Sequence, residues 1–91
     1  MRMAYTVKMQ LFGPFRKFGN GMSMDVEIDR PVTVIELKRN LAEKLRSLDP
    51  QSREAELVSD SAIASETHVL SENVVIDTDC SLAILPPVSG G

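Results

Sequence analysis

Tyr5, Val7, Met9 and Leu11 alternate with Thr6, Lys8 and Gln10, so apolar and polar side chains leave the backbone on opposite sides. That period of two predicts a strand with one face in a core and the other in water. The segment GPFRKFGNG, residues 13–21, holds three glycines and a proline, sustains neither regular period and reads as a hairpin loop. A second strand follows, with Met22, Met24, Val26 and Ile28 on one face and Ser23, Asp25, Glu27 and Asp29 on the other.

The pattern then changes period. Thr33 and Glu36 have the spacing of a capping box, and Val32 and Leu37 occupy the positions of a hydrophobic staple, so a helix is predicted to start near Thr33. At about 100° per residue, Val34, Leu37, Leu41, Leu45 and Leu48 fall within an arc of roughly 80°, while Glu36, Arg39, Asn40, Glu43 and Ser47 are left for solvent. Asp49-Pro50 ends the helix, because the proline ring disfavours helical backbone at the residue before it. Residues 51–60 are polar, with Leu57 and Val58 as apolar anchors, and read as a loop with at most one short helical turn. Ser61–Glu66 and Asn73–Ile76 are predicted as short strands separated by Thr67–Glu72. Cys80–Leu85 is a near-continuous apolar run, as expected of a strand covered on both sides.

One amphipathic helix and several short strands make an α+β domain, a mixed sheet with the helix packed on one face. A last strand lying beside the first would be parallel to it, since the long intervening chain supplies the crossover. The arrangement is that of a ubiquitin-like β-grasp, predicted for residues 1–86. The chain then ends LAILPPVSGG. Pro86 and Pro87 lack the N–H that a ladder needs, and Gly90 and Gly91 carry nothing to pack, so residues 87–91 are predicted to be a flexible tail outside the sheet. Bare backbone of this kind suits insertion into a narrow slot.

Composition narrows the classes of function. The 91 residues suffice for one domain with one core. Ten Lys and Arg against thirteen Asp and Glu give a net charge of −3 with no basic stripe, which argues against nucleic acid as a partner. The run LAILPPV is far shorter than the roughly 20 residues of a membrane span. The N-terminal apolar residues are broken by Lys8 and Gln10, so no signal peptide is expected, and the default location is the cytoplasm. Cys80, the single cysteine, opens an apolar run and reads as a small core or rim residue. His68 has no second ligand in view, so no metal site is expected. Gly13, Gly19 and Gly21 lack the strand–loop–helix context of a phosphate loop. No Ser/His/Asp or Cys/His set is present to make an enzyme.

Two stretches resemble the small sulfur-carrier family that includes the small subunit of molybdopterin synthase and the thiamine sulfur carrier, the molybdopterin branch most closely. LFGPFRKFG, residues 11–19, is similar to the family's aromatic-x-x-x-Arg stretch and puts Phe12 and Arg16 at the matching positions. DTDCSLAILPPVSGG, residues 77–91, resembles the family's acidic turn, apolar last strand and PPV-small-GG end. Thr78 and Cys80 depart from it, standing where the family usually has a turn glycine and an acidic residue.

The resemblance implies that an ATP-using, ubiquitin-activating-like enzyme adenylates the Gly91 carboxylate, that a sulfur donor protein supplies the sulfur, and that a thiocarboxylate results. The carrier would bind no cofactor itself. Gly91 is then the one group that undergoes chemistry, delivered into a pocket of the synthase large subunit. Phe12, Arg16, Leu85, Pro86, Pro87, Val88, Ser89 and Gly90 are the residues expected to bind partners. Alternatives within the same chemistry are sulfur carriage for thiamine, cysteine or siderophore pathways, or a ubiquitin-like protein modifier; outside it, a plain binding module with an inert tail.

Overall fold

The computed structural model describes residues 4–19 and 22–87. Strand β1 (Tyr5–Leu11) and strand β2 (Ser23–Ile28) form an antiparallel hairpin, with Val7 opposite Val26 and Met9 opposite Met24. The connection is not simply a loop. Gly13–Phe18 winds into a 3₁₀ helix that drops the Phe15 ring wholly into the core, so an apolar anchor orders a segment whose glycines and proline predicted only a turn.

A two-residue strand β3 (Val32–Thr33) leads into helix α1 (Val34–Leu48). The capping box is complete: the Thr33 hydroxyl accepts from the Glu36 N–H at 3.3 Å, and the Glu36 carboxylate accepts from the Thr33 N–H at 2.9 Å. The next free N–H groups of the helix start are satisfied from outside, Val34 by the Val74 carbonyl at 2.9 Å and Ile35 by the Glu72 carbonyl at 3.1 Å. Asp49 is extended (ψ 95°), as Pro50 requires, and stops the helix. Val34, Leu37, Leu41 and Leu45 are buried as their spacing predicts. Leu48 is not, being 55% exposed, because the helix runs past the end of the core. Met22 is likewise exposed, lying just before β2 begins.

The chain continues through a one-turn helix α2 (Glu54–Leu57), a 3₁₀ turn (Val58–Asp60) and strand β4 (Ala62–Ala64). Strand β5 (Val69–Leu70) lies inside the stretch predicted to separate two strands and pairs antiparallel with β4. Two residues are too short for a visible period. Strand β6 (Val75–Ile76) pairs with β3 instead, forming a separate two-stranded ribbon. Strand β7 (Cys80–Leu85) runs parallel to β1 and antiparallel to β4, giving the order β2-β1-β7-β4-β5.

Helix α1 covers one face of this sheet, so β7 is not covered on both sides as its apolar run predicts. Leu82 and Ile84 are buried towards α1, whereas Ser81 is exposed and Ala83 and Leu85 are half-buried on the open face. Its near-continuous apolar composition instead reflects a central place between β1 and β4.

Two lysines fix the periphery. Lys38 on α1 is buried, with its ammonium 3.0 Å from the Ser59 carbonyl oxygen and 3.1 Å from the Glu72 carboxylate, so one side chain ties the helix to the 3₁₀ turn and to the β5–β6 connection. On the other flank Lys44 donates to the Asp25 carbonyl oxygen of β2.

Candidate functional site

The sheet register decides what the open face presents. Leu11 pairs with Ile84, and Ile84 with Ile63, all three buried under α1. Side chains one residue away along each strand therefore point to the opposite side. Phe12 keeps extended backbone (φ −128°, ψ 156°), so the alternation carries through it and its ring, 43% exposed, emerges on the open face. Leu85, the next residue after Ile84, emerges beside it. The parallel pairing of the first and last strands thus makes neighbours of two positions 73 apart in the chain.

The open face is divided. One sector is polar, with Thr6, Lys8 and Gln10 of β1 facing Glu27, Asp25 and Ser23 of β2. The other is apolar and runs from Phe12 through Leu85 and Ala83 to Ala62 and Ala64 of β4 and on to Val69 of β5, which pairs with Ala64. Val69 is 58% exposed. Exposed Phe12 and Val69 on one apolar sheet face make it a candidate interaction surface. Ala62, Ala83 and Val69 escaped the sequence reading because β4 and β5 are too short to show an alternating period, and only pairing with β7 gives them a common face.

Arg16 lies on the 3₁₀ helix and is exposed. With Phe12 it lines an open groove of about 490 Å³ whose other walls are Lys8, Gln10, Leu11, Met22 and Ser23. Among the described residues no carboxylate lines it, so a groove with an aromatic wall carries two cations on an acidic protein. Leu85 does not line the groove and meets it through Phe12. A second cavity of about 330 Å³ lies between α1 and α2, lined by both cations (Lys38, Arg39, Arg46) and carboxylates (Glu43, Glu56, Glu72).

The 3₁₀ helix is braced from below. Lys17 forms an ion pair with Glu54 of α2 and stands 5.4 Å from the Phe18 ring centroid. The pairing holds the Lys17 ammonium pKa above, and the Glu54 carboxyl pKa below, their ordinary values. Pro86, half-buried, lies against Gly13, and Pro87 is exposed. Val88, Ser89, Gly90 and Gly91 lie outside the described residues, so their predicted roles have no structural counterpart here.

The turn before β7 does without the glycine that the sulfur-carrier pattern usually has, since among the described residues only Gly13 has a positive φ. Thr78 needs none. The Asp79 carboxylate instead accepts the Thr6 N–H at 2.8 Å, joining the start of β1 to the approach to β7. Cys80 is half-buried, and burial, followed by the neighbouring Asp79 charge, raises its thiol pKa, which disfavours the reactive thiolate. His68 bonds Thr67 through Nδ1 at 2.8 Å, and the described residues contain no cluster able to hold a metal ion.

A sequence that ends PPVSGG just after a strand beside an apolar sheet face invites comparison with known carriers. The chain is 38% identical, over 98% of its length and the whole of the other, to the molybdopterin synthase sulfur carrier subunit of Synechococcus elongatus. It belongs to that family of sulfur carrier subunits. No protein-family model matches the chain. Among solved structures, the crystal structure of SAMP1 from Haloferax volcanii matches with a TM-score of 0.65 at 20% identity, covering 94% of this chain and 99% of that one. The solution structure of the Haloferax volcanii HVO 2177 protein matches with a TM-score of 0.63 at 19% identity, over 98% and 89% of the two chains. These likenesses show the ubiquitin-like β-grasp fold that the sequence predicts. Within the family this chain is a carrier without an active site of its own. No described helix is long and apolar enough to cross a membrane.

Proposed function

We propose that this protein is the sulfur-donating small subunit of a molybdopterin synthase and acts through the main-chain carboxylate of Gly91. The observation that carries the reading is the full-length relationship to a molybdopterin synthase sulfur carrier subunit. The placement of the chain's end supports it, since β7 delivers Pro86 and Pro87 to the end of the sheet where Phe12 is exposed and Leu85 half-buried.

A carboxylate is a poor electrophile. An adenylyltransferase of the ubiquitin-activating kind joins it to the α-phosphorus of ATP and releases pyrophosphate. The terminal sulfur of a persulfide held by a donor protein then displaces AMP, and a second thiol attacks the inner sulfur of the resulting acyl disulfide, freeing a thiocarboxylate on Gly91 and leaving a disulfide on the donor. Docked through Phe12, Arg16 and Leu85, with Pro86 to Gly90 threaded as side-chain-poor backbone, the carrier presents this sulfur to the precursor in the large subunit. The carrier supplies reach and orientation. ATP belongs to the activating enzyme.

The test is reconstitution with activating enzyme, sulfur donor and large subunit, using a variant with one residue added after Gly91. The addition moves the carboxylate by about 3.5 Å, and a misplacement of about 1 Å can cost on the order of a hundredfold in rate. Thiocarboxylate formation, followed by intact mass, is expected to collapse while the melting temperature stays put. Near-normal turnover with the extra residue still attached refutes the mechanism. Recovery from cells of adducts on lysines, rather than sulfur exchange on the carrier itself, makes it a protein modifier instead.

A further inference from the structure

Gly13 combines two observations made separately above: its φ of +57° is the one positive value among the described residues, and it faces the root of the tail. A Cβ added to it would stand 2.9 Å from Cγ of Pro86, with Cβ and Cδ of the same ring at 3.8 and 4.0 Å. Ordinary contact begins at about 3.4 Å, so the ring would have to give by about half an ångström. A five-membered ring closed on its own backbone cannot swing clear as a long side chain would, and the backbone moves with it.

Pro86 is the first residue beyond β7. It has no N–H and so cannot donate a ladder bond; packing against Gly13 after β1 helps to seat it. With φ locked by the ring, the position of that ring sets the line along which the chain leaves the sheet. We propose that Gly13 is a positioning residue for the tail: its missing side chain lets Pro86 rest on the start of the 3₁₀ helix Gly13–Phe18, which fixes the distance and direction of the tail root relative to the docking face at Phe12 and Leu85. Phe12 adjoins Gly13 in the chain and Leu85 adjoins Pro86, so this one contact ties face and root together. The inference rests on the reading of Gly91 as the reacting group. Once the face is docked, reach is set at the root, and a shift of about half an ångström there is of the size that costs roughly tenfold in rate.

The experiment compares Gly13→Ala, Gly13→Asn, Pro86→Ala and the two double variants in thiocarboxylate formation by the activating enzyme. Asn tolerates left-handed backbone yet carries the Cβ, so it isolates the contact from the φ requirement and provides a folded variant should Gly13→Ala not fold. The expected result is a fall of about tenfold in kcat for Gly13→Asn with KM close to the parent's, because the docking face is untouched. In the Pro86→Ala background, where Cγ and Cδ are gone, the same substitution should cost little. Any fall in melting temperature caused by Gly13→Ala should be smaller in that background, where the φ strain remains but the clash with the ring is gone. A loss of equal size with and without the proline ring, a rise in KM with kcat unchanged, or no loss in a folded Gly13→Asn protein overturns the inference. If the wild-type protein is not adenylated at all, the sulfur-carrier reading falls on its own account, and the inference is then judged by NMR. Amide shifts of Val88 and Ser89 that respond to Gly13→Asn only when Pro86 is present uphold it, and shifts that ignore the substitution overturn it.

Discussion

Leu11 lies directly across the parallel β1–β7 pair from Ile84, both buried under the helix, and that register brings Phe12 and Leu85 out together on the opposite face. Neither is needed for the core. Phe12→Ala and Leu85→Ala are therefore expected to lower the affinity for the synthase large subunit and for the activating enzyme by about tenfold to a hundredfold, the range of an exposed apolar anchor that becomes buried on binding. Unfolding midpoints should move far less. Titration calorimetry beside thermal melts checks both, and unchanged affinity in both variants would remove the patch.

Val69 extends the same apolar sector across β4 to the far edge of the sheet. Val69→Asp places a charge where the partner is expected to be apolar, yet the site is solvated in the free protein. Binding should weaken by at least tenfold, with stability changed by less than about 0.5 kcal/mol as for other surface sites. Equal binding by the variant would confine the interface to Phe12, Leu85 and the groove.

Lys38 is 6% exposed and serves two acceptors on separate segments. The Glu72 side chain is largely solvated, so the ion pair is screened and contributes little. The bond to the Ser59 carbonyl oxygen and the packing of the lysine stem matter more. Lys38→Met, which keeps the stem, should cost about 1 kcal/mol, and Lys38→Ala about 2–3 kcal/mol. Urea denaturation separates them. Equal losses would assign the effect to the charge rather than to packing.

The Glu36 carboxyl is pulled below its ordinary pKa of 4.5, first by the Thr33 N–H and then by the Thr33 hydroxyl. A carboxyl whose pKa is depressed on folding binds fewer protons folded than unfolded. Its contribution is thus complete above pH 4.5 and is lost as pH falls through the folded value. Glu54, lowered by Lys17, acts in the same window. Lys17 acts at the other end: its pKa is raised on folding, so its contribution holds below 10.5 and disappears as pH climbs past that value. Glu36→Gln should flatten the acid side of a plot of melting temperature against pH and leave the alkaline side unaltered. Thr33→Ala, which removes the reciprocal half of the cap, should cost about 1 kcal/mol at neutral pH.

Gly19 has ordinary backbone, yet a Cβ there would meet the Ser23 carbonyl oxygen at 2.6 Å and Leu11 Cδ1 at 2.7 Å. Gly19→Ala should therefore destabilise by about 1–3 kcal/mol through overpacking. A neutral effect in chemical denaturation would mean that the hairpin connection yields easily.

Where local chemistry and tertiary contact agree, the sequence is readable. Thr33, Glu36 and Pro50 bound the helix with interactions made within a few residues, and they are found as predicted. The alternation of Tyr5 to Leu11 survives because it spans seven residues, enough to show a period. Phe15 is different: nothing near it in the chain says that a loop phenylalanine will be wholly buried, since its neighbours come from elsewhere in the fold. Lys38 could not be read as buried either, because its acceptors lie 21 and 34 residues away. The same holds for the site. A motif points to Phe12, Arg16 and Leu85 as candidates, while Val69 and Gly13 gain meaning only from what the sheet and the tail root bring against them.

One small contact bears on how such a carrier stays available. The Leu11 N–H bonds the Met22 carbonyl at 2.8 Å, so Met24, Val26 and Ile28 also turn their backbone groups inward, while Ser23, Asp25 and Glu27 turn theirs away from β1. β2 is an edge strand, and this outward row is the template on which a second copy could add itself. Lys44 reaches from the helix to the Asp25 carbonyl oxygen in the middle of that row, and an approaching strand would have to displace a charged amine before its first rung could close. The lysine thus occupies one rung of the β2 edge that an added strand would need, leaving the face bearing Phe12 and Leu85 as the surface offered to partners.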